Sequence, residues 1–543
     1  MDYQVVYDTI QKQIEKYILN PTGLEPPAAK KLAIQLGVST TIVYYFFKFI
    51  VYRLYLHPAN RLPGPSVGWI PFMGNIAEIL REEAGVPHKR WTKQYGPIYY
   101  YHTEWNQPRI AVADDELLKQ VLVSQEFDFI KTPDTSRFLR RILGNGLLLS
   151  EGDEHRHQRR MLNPAFSVNS VRALVPLMAK PGHLLRDIWL KQIKEEQGNK
   201  VQSENGEEFT EIEVSSGLSL AALDVIGWAF GQDFKSVEFS GTPQQSKFSQ
   251  AYLNIFAPNL SFLRILSLLF PVLRYLPTKR NRLMAKHLNW LNEESRNLVQ
   301  AGVDRAAKEK AEGIKSDKPK DLLATMVNLI DEETGKGFTV EELKEQCLTF
   351  LAAGHETTGV GLSWCLWLLA KNQAVQDELR EEVRTLFNDD DHVPSYDEIN
   401  ALPLLNNVVR ETLRLIPPVP GTLRQTRVPT VIGSYAIPAG VPIFLPLIVL
   451  HHSKSIWGED AEEFVPSRWN NPEKIGNTYQ YLPFLAGGRM CIGYKFALIE
   501  FKLLLAILIR DIQYFEKPGF KIIKKQQLTL RPAPNMTLWM KAV

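Results

Sequence analysis

The chain has 543 residues, 45% hydrophobic and 23% charged, with a formal net charge of +3 and only three cysteines. That is the composition of a folded, enzyme-sized body. It excludes a disordered or collagen-like chain, a disulfide-stapled secreted domain and, for want of a basic footprint, a nucleic-acid binder.

In chain order, residues 3–19 place Val6, Ile10, Ile14, Tyr17 and Ile18 at helical spacing, which predicts an amphipathic surface helix. Residues 32–56 (LAIQLGVSTTIVYYFFKFIVYRLYL) are interrupted only by Lys48 and Arg53. They exceed the ~20 apolar residues that a bilayer crossing needs. A cleaved signal peptide fits poorly, because the run starts only at residue 32 and no small-residue cleavage site follows. Residues 1–56 therefore read as an N-terminal anchor, the alternative for the apolar run being a buried helix of the body. Basic residues flank it on both sides (Lys30 and Lys31; Lys48, Arg53 and Arg61), so charge leaves the orientation open. Residues 57–71 hold four prolines and two glycines, the chemistry of a stiff hinge, and 72–543 form the catalytic body.

Within that body helical periodicity dominates. Strand-like runs are short (97–105, 109–113, 430–438 and 441–447), so the expected fold is mainly α with a small β portion. The polar segments 190–210 and 303–320 read as solvated loops or helix ends. The apolar stretch 251–277, broken by Arg264, Pro271 and Arg274, reads as core or as a mobile flap over a greasy site. No Walker loop or dinucleotide fingerprint occurs, so no nucleotide is expected to bind here.

Residues 340–370 predict one long helix carrying Gly354, Gly359 and Gly361. Each mid-helix glycine costs ~1 kcal/mol against alanine, so three together signal the close approach of another body or a local opening. Glu356, Thr357 and Thr358 lie beside them. Glu411 and Arg414 share a helix face at i, i+3, a spacing also found at Glu293/Arg296 and Glu381/Arg384. Cys491 follows a Gly487–Gly488 turn and precedes a helix starting near Tyr494. The helix N-terminus and Arg489 both favour thiolate over thiol. Turn N–H groups can donate to the sulfur. Cys347 and Cys365 lie 18 residues apart on the long helix. At ~1.5 Å per residue they are too far apart to pair, and they read as core.

The spaced set Phe484, Gly487, Arg489, Cys491 and Gly493 resembles the haem-binding loop of the cytochrome P-450 family, the haem-thiolate monooxygenases, in its eukaryotic microsomal and fungal form. The resemblance extends to A-G-H-E-T-T (353–358), E-T-L-R (411–414), F-V-P-S-R-W (464–469), 146–166 and PPVPGTLRQT (417–426). It implies Cys491 as axial ligand of the iron of haem b (iron protoporphyrin IX). It implies Arg489, Arg159 and Arg424 at the haem propionates, Phe484 against the thiolate side and Gly487 at the turn. His155 stands where most members carry tryptophan and keeps an N–H donor for a propionate. Thr357 would hydrogen-bond dioxygen and Glu356 would relay protons. Arg468 would complete a buried cluster with Glu411 and Arg414.

The implied reaction is insertion of one O2 oxygen into a C–H bond of a lipid, steroid, terpenoid or xenobiotic. Electrons would come from an NADPH–cytochrome P-450 reductase docking near Arg156, Arg160, Lys495 and Lys502. Substrate contacts are expected at 131–149, 251–277, Phe350–Ala353 and Val419–Thr422. The expected location is the endoplasmic reticulum membrane, single-pass, with the catalytic body in the cytosol. Two other readings stand beside this one: a haem-thiolate isomerase or dehydratase needing no reductase, and a non-catalytic haem sensor.

Overall fold

The computed structural model describes residues 8, 12 and 26–543, except 71, 196–198, 257–265, 268, 313–320, 332–333, 388, 390–391, 472 and 474–475. The amphipathic helix expected at 3–19 and the centre of the 251–277 stretch lie outside the described residues.

Helix α1 (Pro26–Phe46) continues into a wider helical turn, Phe47–Leu56. The stretch 30–61 is long and apolar enough to cross a membrane, and its apolar window is not buried against the protein. Its far end is fastened to the body. Arg53 Nη1 donates to Trp105 O at 2.9 Å, and the Phe49 and Trp105 rings lie 5.0 Å apart. The proline-rich segment lies on the first sheet as a strap: Ala59 and Leu62 are buried and Tyr100 N donates to Pro63 O at 3.0 Å.

The helices that frame the site are α2 (Pro133–Leu143), α3 (Gly152–Leu162), α4 (Val168–Lys194), α5 (Val214–Ala229) and α6 (Lys247–Phe256). They are followed by α7 (Lys279–Ala311), α8 (Val340–Lys371), α9 (Gln373–Arg384), α10 (Pro403–Leu415) and α11 (Tyr494–Asp511). α8 is the axle of the molecule. Thr339 caps it reciprocally with Glu342, whose side chain reaches back to Thr339 N at 2.8 Å. It then buries almost every side chain from Leu343 to Ala370, the signature of a helix wrapped on all sides. Its neighbours include α5, α7, α10 and α11.

The helix is unbroken at its glycines, so they serve close approach. A Cβ on Gly359 would sit 2.8 Å from Ser219 Cα on α5, and one on Gly361 would sit 2.7 Å from the Phe501 ring on α11.

Strands β1 (Ile98–His102), β2 (Pro108–Val112), β3 (Phe129–Ile130), β6 (Thr422–Thr426) and β9 (Pro442–Leu445) form a five-stranded sheet in the order β1-β2-β9-β6-β3. A second sheet, β10-β13-β5-β4, joins β4 (Lys200–Gln202) and β5 (Glu208–Glu213) to β10 (Ile512–Glu516) and β13 (Thr537–Ala542). Two hairpins complete the β portion: β7 (Thr430–Ile432) with β8 (Tyr435–Ile437), and β11 (Ile523–Gln526) with β12 (Leu530–Ala533).

The expectation of solvated loops or helix ends over 190–210 holds for the helix end and is corrected for the rest. α4 runs to Lys194 and a hairpin follows, its β5 paired with β13. The segment is polar because one face meets solvent. The other carries Phe209, whose ring stacks 5.4 Å from Trp539 and 4.9 Å from Phe515. The pairing partner lies more than 320 residues away in sequence, so local composition could not reveal it.

Candidate functional site

The loop before α11 is closed by its own backbone: Cys491 N donates to Phe484 O at 2.8 Å. Gly487 has φ +69°, and a Cβ there would fall 2.0 Å from Leu122 O, so both the turn and the packing demand glycine. Gly488 N donates to Glu126 Oε2 at 2.7 Å, which pins the turn from the other side. The Phe484 ring is half-buried against the main core, 6.2 Å from Tyr494.

α3 presents His155 and Arg159 one turn apart, on the same face. Arg159 Nη1 donates to Met490 O, next to Cys491. Arg489 donates through Nη1 to Ser150 O at 2.7 Å and pairs through Nη2 with Glu151. Arg424, on β6, is 5% exposed. Among the described residues its side chain donates only to Thr422 Oγ1 and Leu423 O, and no described carboxylate lies within ion-pair distance of it. Burial and the neighbouring Arg489 push its guanidinium down to about 10.

Lys131, which follows β3, completes the group. Its ammonium is 3.7 Å from Glu151, and burial, then Arg489, push it down to about 7. His155 is buried, and desolvation together with Arg489, Lys131, Arg159 and Arg424 lowers it to about 3, so the ring is neutral. Sequence reasoning singled out every member of this group except Lys131. Its neighbours Asp128, Thr132 and Asp134 are polar, so no local pattern set it apart.

Two expectations about the cysteine loop change. Arg489 is engaged by Glu151, and the cation acting on Cys491 is Arg159. Cys491 is exposed as a residue; desolvation at its sulfur pushes the thiol up, while the Gly493 N–H and Arg159 pull in the opposite direction. Lys502, expected on the docking face, is buried, donates to Asn400 Oδ1 at 2.7 Å and is lowered to about 8 by burial. Arg156 and Arg160 of α3 are exposed, each paired with an aspartate, Asp153 and Asp331.

Glu356 and Thr357 sit at the middle of α8. The Glu356 carboxylate is 2% exposed and bonded to Thr529 and Arg531, partners that sequence reasoning missed. Thr357 Oγ1 donates to Ala353 O at 2.8 Å. The Glu411–Arg414 pair is fully buried at 2.8 Å and Arg468 Nε lies 3.5 Å from Glu411, whereas the equally spaced Glu381–Arg384 pair is a surface contact. Cys347 and Cys365 are buried in the core, where desolvation raises both thiols to about 12. No cluster of three or more metal-ligating side chains occurs among the described residues. His157 pairs with Asp331 instead.

Does this set fit haem? Four cations (Lys131, Arg159, Arg424, Arg489) converge with a neutral imidazole on a region whose carboxylates, Glu151 and Glu126, are already engaged. Arg424, buried with no described carboxylate within ion-pair distance, requires an anion, and a haem propionate would supply one. One soft sulfur ligand on a close-packed glycine loop completes a donor set suited to haem iron.

Comparison with known proteins agrees. The cytochrome P-450 family model matches residues 63–539. Among curated relatives, cytochrome P-450 monooxygenase 205 of Postia placenta is 34% identical, covering 93% of this chain and 95% of its own length. Cytochrome P-450 monooxygenase sphH of Aspergillus fumigatus is 32% identical over 90% of this chain and 89% of the relative. Cytokinin hydroxylase of Arabidopsis thaliana is 29% identical over 84% and 83%. With the family match spanning most of the chain and these fungal relatives alongside it, the chain belongs to the cytochrome P-450 family and is a haem-thiolate monooxygenase.

Proposed function

We propose that this enzyme hydroxylates an apolar substrate: one atom of O2 enters a C–H bond, the other leaves as water, and an NADPH–cytochrome P-450 reductase supplies two electrons. The observation that carries this reading is the acid–alcohol pair Glu356–Thr357 on α8, since an isomerase has no use for delivered protons.

Cys491 would ligate the iron of haem b. Arg159, Arg424, Arg489 and Lys131 would hold the propionates, with His155 donating an N–H. Phe484 and Gly487 shape the loop that carries the sulfur. Bound haem with a thiolate ligand supplies electron density that favours O–O cleavage and oxygen transfer. Thr357 would turn its hydroxyl from Ala353 O toward dioxygen, and Glu356 would replace the proton it gives. The aliphatic and aromatic side chains of Phe350–Ala353 and the 131–149 segment exclude water and select an apolar substrate. The anchor helix would place the body at the cytosolic face of the endoplasmic reticulum.

The test is the carbon monoxide difference spectrum of the reduced protein, then NADPH oxidation with and without reductase. A strongly red-shifted Soret band, absent in Cys491→Ser, supports the ligand assignment; survival of that band in the variant refutes it. Substrate conversion without reductase would instead favour the isomerase reading.

A further inference from the structure

The loop that joins α2 to α3, residues 144–151, is gripped at both ends. α8 holds the near end through three side chains that bond to its backbone. Asn145 N donates to Glu345 Oε2, Leu147 N donates to Gln346 Oε1 at 2.8 Å, and Thr349 Oγ1 donates to Leu143 O at 2.7 Å. The approach leaves no room for a side chain at its centre. A Cβ on Gly146 would sit 2.5 Å from Thr349 Oγ1 and 2.8 Å from Gln346 Oε1.

The far end meets the cysteine loop. Leu149 N and Ser150 N both donate to Gly146 O, at 3.0 and 3.1 Å, so a closed turn links the two grips. Ser150 O then accepts Arg489 Nη1 at 2.7 Å, and Glu151 pairs with Arg489 Nη2. Side chains of α8 thus fix, through one turn of backbone, the acceptors that aim Arg489.

Gln346 holds a second segment as well. It is 0% exposed, and both ends of its amide are bonded. Oε1 takes the Leu147 N–H, while Nε2 donates to Gln158 Oε1 on α3 at 3.0 Å. Gln158, itself buried, donates onward to Glu154 Oε1 at 3.1 Å. It lies beside Arg159 and about one turn from His155. One side chain therefore ties the loop behind Arg489 to the helix that carries Arg159 and His155.

We propose that Gln346 is a positioning residue for haem, setting the spacing between the Arg489 arm and the Arg159 arm so that both guanidinium groups meet propionates without rearranging. The proposal rests on the reading of Arg489 and Arg159 as propionate ligands. Gln346 acts through those two arms.

The physical reason lies in what the amide would lose. A buried amide costs free energy unless its polar atoms are bonded, and here the two partners belong to different segments. Drift of the loop against α3 breaks one of the two bonds, so the amide resists that drift. Loosened arms would compensate the propionate charges less. That favours ferric over ferrous haem and lowers the reduction potential.

The experiment compares wild type, Gln346→Leu, Thr349→Val, Thr349→Ser, Arg489→Gln, Arg159→Gln and Leu366→Ala as full-length, haem-loaded protein. Transfer of haem to excess apomyoglobin gives the rate of loss, spectroelectrochemistry the reduction potential, and thermal unfolding the midpoint. Leu366, buried on α8 roughly 30 Å along the helix from Gln346, controls for general destabilisation. Gln346→Leu should speed haem loss about tenfold and lower the potential, the low end of what partners that orient ligand groups contribute. Thr349→Val should act in the same direction, and Thr349→Ser, which keeps the hydroxyl, should behave as wild type. Leu366→Ala should lower the midpoint at least as far as Gln346→Leu yet leave haem loss and potential unchanged.

If neither Arg489→Gln nor Arg159→Gln speeds haem loss, the propionate reading falls and the inference falls with it. If they speed it while Gln346→Leu does not, the positioning role is overturned and the propionate reading stands. If haem loss follows the midpoint in Gln346→Leu and Leu366→Ala alike, Gln346 is merely structural and the proposal is overturned. Should Gln346→Leu fail to fold, Thr349→Val against Thr349→Ser decides by the same readouts, equal haem loss in the two overturning the proposal.

Discussion

Lys131 and Arg424 carry charge into an interior where Glu151 is already shared, and their lowered affinity for protons follows directly. For Lys131 the sign is definite. Its folded value of about 7 lies below the ordinary 10.5, so between the two the unfolded chain binds the extra proton. Stability therefore rises with pH through that window, the penalty being fully present below about 7 and gone above about 10. Urea unfolding of the haem-free protein at pH 6.5 and pH 9 should show a gain on the order of 1 kcal/mol or more, reduced in Lys131→Met. A propionate beside the ammonium opposes the shift, so the holoprotein should show less of it. At Thr357 the expected change is chemical: Thr357→Ala retains the carbon monoxide spectrum but sends several times more of the NADPH electrons to hydrogen peroxide. Unchanged peroxide yield would remove Thr357 from proton delivery. Cys491, Arg489, Glu356 and Thr357 were legible from motif spacing. Their partners Glu151, Thr529 and Arg531 were not, because hydrogen bonds across 175 or 338 residues leave no local trace.

Among the elements, α8 and α10 are held by contacts that tolerate little change. Glu411 accepts from Arg414 Nε and Nη2, Val465 N and Trp469 Nε1, all between 2.8 and 3.0 Å, at zero exposure. Replacing its charge leaves two arginines under-compensated in the interior, so Glu411→Gln should destabilise by about 3–5 kcal/mol. Thermal unfolding with haem content as a second readout measures it. Gly359→Ala should gain up to ~1 kcal/mol of helix propensity yet lose about 1–3 kcal/mol, because its new methyl meets backbone of α5. A net rise in melting temperature would show that α5 and α8 can part at no penalty. The sequence flagged these glycines but left open whether they opened the helix or admitted a neighbour. The unbroken α8 decides for the neighbour.

For the molecule as a whole, the apolar 30–61 helix stands clear of the core but is tied to it through Arg53, Phe49 and Trp105. Removing residues 1–56 should release the protein from microsomal membranes and leave its carbon monoxide spectrum intact; retention on membranes after a high-salt wash would assign binding to the body. Long-range order sets the rest. Periodicity and composition determined the helical character, the long central helix and strands β1, β2 and β9 of the first sheet, because those depend on neighbours a few residues apart. The motif spacing around Cys491 carried the family resemblance, and through it the haem-thiolate cofactor that the family implies, because a loop that must bend, approach closely and present one sulfur admits few residue types. Only the tertiary structure decided that polar 200–213 is sheet and that Lys502 is buried. It also decided that Arg489 answers to Glu151 and that Glu356 faces Arg531. These are pairings between distant segments, and burial, which gives a charge its partner, is a property of the folded whole.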